Sequence, residues 1–298
     1  MATSPISADY SAITTIGICG TPCSNTVNFF DCNHVEKPGS AIDAYIENCK
    51  EINKLWGTVA DVSPEFSRLL LLGYVSAIES FLRSVFRSII NTDAKAQADA
   101  HSFVVPFGAV LYHSKETVAE SLLEGISFSS EQAIKSALNK FLDNPSIRDD
   151  IKTMLKEFEK ICQMRHCCVH RFGKLGTQNG ISLGLATHSK ALEKPLVLSK
   201  DDLGNIASWL MSFAKAINNF MFGILLERST SEKNPYRIDW HWNYTKDRAK
   251  FLRIYNLFVT AKDGTLSPEA EDLYERFKFA RQPRKTPDKK ATAVKLTI

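Results

Sequence analysis

The chain has 298 residues, 37 Lys and Arg against 33 Asp and Glu, 44% hydrophobic and 10% aromatic residues, and seven cysteines. It is too apolar and too weakly charged to be a disordered chain, and 14 Gly with 11 Pro exclude a collagen-like or low-complexity polymer. The net charge of +4 is uneven: residues 276–298 hold eight bases and one acid, which leaves 29 bases and 32 acids, a net −3, over residues 1–275. Any nucleic-acid contact must therefore come from a local constellation and not from a basic body.

No segment has the ~18 uninterrupted apolar residues of a membrane helix, and the opening Met1-Ala2-Thr3-Ser4-Pro5 lacks the basic and apolar regions of a secretory leader. A cytoplasmic protein with no membrane partner is expected. An odd count of seven cysteines fits reduced thiols better than a disulfide framework.

Residues 1–40 are short apolar pieces broken by Gly17, Gly20, Pro22, Pro38 and Gly39, and read as irregular with one short strand. A helix is expected over Ser40–Trp56, where Ile42, Tyr45, Ile46, Cys49, Ile52 and Leu55 recur at helical spacing. Ser63-Pro64-Glu65 then offers an N-cap hydroxyl, a proline suited to the first helical position and an acid that complements the helix dipole. From Phe66 to Ile90 a wide apolar stripe predicts a long buried helix ending near Asn91.

The polar stretch 93–100 leads to Phe103–Tyr112, readable as loop or short helix. Ser130-Glu131 opens a helix to about Leu142, and Asn144-Pro145 opens another carrying Ile147, Ile151, Leu155, Phe158 and Ile161. Gly173, Gly176, Gly180 and Gly184 with Leu196-Val197-Leu198 predict a turn-rich excursion holding one or two short strands. Ser199 and Asp202 resemble a capping box at the start of a last long helix, Leu203 to Leu226. Past Asn234-Pro235, Trp240, Trp242 and Tyr244 alternate among basic residues, which suits an extended piece docked on the bundle or a base-stacking surface. Residues 281–290 read as a flexible basic tail. The expected organisation is an N-terminal extension (1–62), a mainly α bundle (63–230) and an aromatic, basic extension (231–298), with no βαβ alternation and no phosphate-binding glycine loop.

The densest reactive cluster is Cys162-Gln163-Met164-Arg165-His166-Cys167-Cys168-Val169-His170-Arg171-Phe172-Gly173. It admits three readings. His166 and His170, four apart on a helix, could join cysteines around a metal. The cysteines could instead be small core residues. The third reading is metal-free RNA cleavage, in which histidines move protons and an arginine holds the phosphorane oxygens. Arg165 and His170 lie five residues apart and so point about 140° from one another on a helix. A single helix would not converge them, whereas a two-fold dimer interface would. A second cluster, Cys19, Cys23, Cys32 and His34, fits a zinc knuckle or ordinary free thiols.

Arg165-His166-Cys167-Cys168-Val169-His170, followed by Gly173, resembles the R-polar-x-x-x-H signature of the HEPN superfamily, in particular its RNase-like branch. The long helix carrying Glu79 in Ala77-Ile78-Glu79-Ser80-Phe81-Leu82 is similar to the first long helix of that domain. The resemblance covers roughly residues 63–228 and implies a HEPN-like helical homodimer that cleaves RNA without metal or cofactor. By the same resemblance Arg165 holds the scissile phosphate, His170 acts as general acid or base, His166 orients the phosphate or assists proton transfer, and Glu79 orients Arg165 or His170. Arg171 and Lys174 are the expected substrate-binding residues. A defence or toxin setting, with an antitoxin or activating protein as a further partner, follows from the family alone. The competing expectation is a HEPN-like module that binds nucleotide, RNA or protein without cleaving it.

Overall fold

The computed structural model describes residues 13–14, 25–35, 38–114 and 117–283. Contacts divide the chain into two units between Pro38 and Gly39. In the first, the described part is a short 3-10 turn, Thr26–Phe29, followed by an exposed loop in which Asp31 accepts the Asn33 N–H at 3.0 Å. Cys32 and His34 are exposed there, and Cys19, Cys23 and most of the expected basic tail lie outside the described residues; those described among residues 1–40 hold no strand.

The second unit is helical, and no strand occurs among the described residues. Its helices are α1 (Ala41–Trp56), α2 (Pro64–Thr92), α3 (Ala94–Ala100), α4 (Phe107–Tyr112), α5 (Val118–Ser121), α6 (Glu131–Leu142), α7 (Asp149–Arg171), α8 (Thr177–Leu183), α9 (Leu185–His188), α10 (Lys200–Thr230), α11 (Tyr244–Tyr255) and α12 (Ala270–Arg281). The starts follow from cap chemistry. Ser63 accepts the Phe66 N–H at 3.2 Å with Pro64 in the first turn, and Ser130 accepts that of Ala133 at 3.1 Å. Ser199 and Asp202 form a reciprocal capping box, which starts α10 at Lys200, earlier than the apolar pattern alone predicts.

α2 is the central helix, with α1, α7 and α10 packed around it. Leu71, Val75, Ile78, Leu82, Val85, Phe86 and Ile89 are fully buried along its length. At roughly 1.5–3 kcal/mol for each large side chain removed from water, this stripe dominates the stability of the bundle. Phe86 stacks on Phe128 at 5.6 Å and Phe158 on Phe213 at 4.7 Å, tying α2 to the loop before α6 and α7 to α10. α2 and α10 are long and apolar enough to cross a membrane, yet 56% and 50% of their most apolar windows are buried inside the protein, as in core helices. α2 holds no uninterrupted apolar run of that length because Arg68, Glu79, Arg83 and Arg87 break it.

Two expectations are corrected, and a third, the docking of the aromatic segment on the bundle, is borne out. The helix expected from Asn144-Pro145 starts instead at Asp149, because Asp143 and Asn144 both adopt left-handed φ, 60° and 50°, and form the turn. The excursion after Gly173 contains α8 and α9 and not strands; a single bridge between Lys174 and Pro195 is its only β pairing. Beyond residue 230 the chain continues into α11 and α12. Trp240, Phe251, Tyr274 and Phe277 bury their rings together, and Phe222 of α10 meets Phe251 and Phe258 at 6.3 and 5.7 Å. The segment is thus a docked layer of the same unit, with no free Trp240 face for stacking a base. Its hub is the fully buried Asp247 carboxylate, which accepts from the Tyr274 hydroxyl at 2.6 Å and from the His241 N–H at 3.1 Å.

Candidate functional site

α7 carries the Arg165 to His170 cluster past the middle of α2. Arg165 Nη2 lies 3.5 Å from Glu79 Oε1, with 27% and 19% of the two side chains exposed. Glu79 follows the buried Ile78 and precedes the buried Phe81 and Leu82 on α2. A carboxylate so placed needs a cation beside it, and Arg165 supplies one.

His166 follows Arg165 and is half-buried. Burial first, then the neighbouring Arg165 and His170, push its pKa below the ordinary histidine value, against a smaller opposing pull from Glu159. The ring is therefore neutral near pH 7 and has a lone pair able to take a proton. His170 is exposed one turn further on, its ring edge-on to that of His166 with centroids 6.2 Å apart.

The intervening cysteines face inward. Cys162, Cys167 and Cys168 are buried, and burial raises all three thiols, Cys168 to about 11. They are protonated core side chains and not the thiolates that a metal or a nucleophilic step would need. Among the described residues, no three His, Cys, Asp or Glu side chains gather as a ligand set.

Arg165 and His166 form one wall of an open cleft of about 630 Å³. The other wall is the face of α6 with the loop before it, and includes Ser127, Ser129, Ser130, Ser136 and Lys140; no carboxylate lines it. That loop is pinned from α2. Arg83 donates to the carbonyls of Leu123 and Ile126 and pairs with Glu120 at 3.7 Å, and Arg87 reaches the same carboxylate at 3.4 Å. The start of α6 is fixed by Glu159 of α7, which accepts the Glu131 N–H at 2.7 Å and the Gln163 amide at 2.6 Å.

α7 ends in a Schellman-type turn: Phe172 has φ 52°, Gly173 has φ 92°, and the Gly173 N–H donates to the Cys167 carbonyl at 2.9 Å. Behind it the buried Arg68 donates to the Leu196 carbonyl at 3.0 Å and lies 5.5 Å from the Phe172 ring.

The structure thus brings together Arg165, His166 and Glu79, with His170 one turn away and outside the cleft lining. Arg171 instead donates to both Glu193 oxygens, at 2.9 and 2.7 Å, and Lys174 is exposed on the turn that bridges to Pro195; neither lines the cleft. Lys140 and the serines are the cleft residues that sequence reasoning missed. The available signal was Ser130, Ala133, Ser136, Ala137 and Lys140 at spacings of three and four, a helix face of small side chains that leaves room for a ligand.

No family model, curated protein or solved structure matched the chain. The functional reading therefore depends on this geometry and on the Arg165 to His170 motif.

Proposed function

We propose that the protein is a metal-independent, cytoplasmic endoribonuclease of HEPN type, acting as a homodimer in a defence or toxin setting. One observation carries the reading: a fixed cation, Arg165, and a neutral imidazole, His166, stand side by side in an open cleft without carboxylates, with a second imidazole one turn away. These are the groups that transesterification of RNA requires.

In the proposed reaction His166 takes the proton of a ribose 2′-hydroxyl as that oxygen bonds to phosphorus. Arg165, braced by Glu79, neutralises the non-bridging oxygens. The bond from phosphorus to the 5′-oxygen breaks, and the departing oxygen receives a proton from a histidinium. The partner's His170 suits this last role, because Arg165 and His170 of one helix diverge by about 140°. The products are a 2′,3′-cyclic phosphate and a 5′-hydroxyl. Exposed Val169 (47%) and Phe172 (79%) flank His170 and support apolar contact with a second copy at this end of α7.

A non-catalytic RNA- or nucleotide-binding module is the second reading, favoured by the position of His170 outside the cleft lining. Incubating RNA with wild-type and His170→Ala protein in EDTA separates the two. The proposal expects cleavage by wild type and a loss of about 10²–10⁴-fold in the variant. Equal cleavage by both would remove His170 from the mechanism, and no cleavage by wild type would favour the binding module.

A further inference from the structure

The cleft is longer than the chemistry at Arg165 and His166 needs. α6 and α7 form a helical hairpin across residues 143–148, and further along Glu159 accepts the Glu131 N–H at the start of α6. Arg165 lies six residues past Glu159, about 9 Å of helix rise along α7. Lys140 lies ten residues along α6 from Ser130, about 15 Å of helix rise. Both ends nevertheless line the same cleft.

Between them α6 presents Ser130, Ala133, Ser136 and Ala137, side chains small enough to leave a groove and rich in hydroxyl donors. The charged side chains of the lining are Arg165, which pairs with Glu79, and Lys140, and no carboxylate lines the groove itself. Lys140 has no carboxylate partner among the described residues. Its ammonium instead rests 3.6 Å from the centre of the Phe103 ring, which holds it in place and leaves its charge unneutralised. A groove with a cation at each end and hydroxyls between is complementary to a polyanion with regularly spaced charges. A lone phosphate would fill only one end.

We propose that this groove is a track for single-stranded RNA, with one backbone phosphate at Arg165 and His166, another at Lys140, and the α6 serines donating hydrogen bonds to the oxygens between them. The proposal rests on the endoribonuclease reading for which phosphate is cut. Lys140 is then a substrate-binding residue that sets affinity and register and takes no part in proton transfer.

The test uses the full-length protein and a short, fluorescently labelled 2′-O-methyl oligoribonucleotide, which cannot undergo transesterification. Binding of wild type, Lys140→Gln and Lys140→Arg is followed by anisotropy over a range of salt concentrations. Loss of one phosphate contact should weaken Lys140→Gln and flatten its plot of log affinity against log salt by about 0.7, the value for one contact to a single strand, with Lys140→Arg close to wild type. Equal affinity and slope for wild type and Lys140→Gln, or no binding by wild type, would overturn the track. Circular dichroism of Lys140→Gln identifies misfolding, in which case the Arg variant and Ser136→Ala carry the test.

Unmodified RNA then distinguishes the two proposals. A raised KM for Lys140→Gln supports both. Cleavage with the same KM in wild type and Lys140→Gln would sink the track and leave the nuclease standing. Lys140-dependent binding with RNA left intact would sink the nuclease and leave the track.

Discussion

Gly173 holds the end of α7, and with it the spacing of the histidines from the excursion that follows. Its φ of 92° lies where an L side chain is strained, and a Cβ built there would meet Arg68 Cδ at 2.4 Å. Arg68 is 7% exposed, fixed by the Leu196 carbonyl and by Glu65 at 3.0 Å each, so it cannot swing aside without losing both partners. Gly173→Ala should therefore cost about 1–2 kcal/mol for the backbone and about 1–3 kcal/mol more for the overpacking, or roughly 2–5 kcal/mol in all. Gly184 is an internal control: its φ is 100°, but a Cβ there meets only Thr187 Oγ1 at an ordinary 3.5 Å. Gly184→Ala should cost the backbone share alone, about 1–2 kcal/mol. Urea denaturation of the two variants measures the difference. If Gly173→Ala proves no less stable than Gly184→Ala, Arg68 does not wedge the turn and the reasoning fails.

Arg165→Gln should raise the pKa of His166, since Arg165 is one of the charges that depress it; proton NMR titration reads this directly, and an unchanged value would leave burial and His170 as the causes. Because the depressed form binds its proton less readily than the unfolded chain does, His166 lowers stability as pH falls below the ordinary histidine value of ~6.5, and His166→Gln should lessen that loss in acid melts. Asp247→Asn should destabilise by about 3 kcal/mol by weakening hydrogen bonds to a buried charge, measured by denaturant unfolding. Burial raises the Asp247 pKa, but the Tyr274 and His241 hydrogen bonds outweigh it and hold it low. Its stabilisation is therefore present above ~3.9 and disappears as pH falls through the lower native value. Trp240→Ala should cost roughly 3–5 kcal/mol in stability, with RNA affinity of the folded protein unchanged in an anisotropy titration.

Much of the fold is legible because caps are local chemistry. Ser63-Pro64, Ser130-Glu131 and Ser199 with Asp202 each mark a helix start that the structure contains within a few residues. What misleads is chemistry that depends on distant partners. Gly176 and Gly180 look like turn residues, yet Gly176 caps α8 and Gly180 lies inside it, where a Cβ would press on Leu192 at 3.0 Å. Trp240, Trp242 and Tyr244 alternate like a strand, but Asn243 accepts the Lys246 N–H at 3.2 Å and starts α11 in their midst. In the site, the conjunction of Arg165 with Glu79 follows from two long amphipathic helices that must pack. Lys140 is brought to the same cleft by the α6–α7 hairpin, a tertiary relation that spacing along the chain does not express.

The end groups of RNA fragments formed in EDTA test the central claim most directly. The account predicts fragments ending in 2′,3′-cyclic phosphate and beginning with a 5′-hydroxyl, present with wild type and lost with Arg165→Ala and His170→Ala. Fragments with 3′-hydroxyl and 5′-phosphate ends, or intact RNA after incubation with wild type, would contradict it.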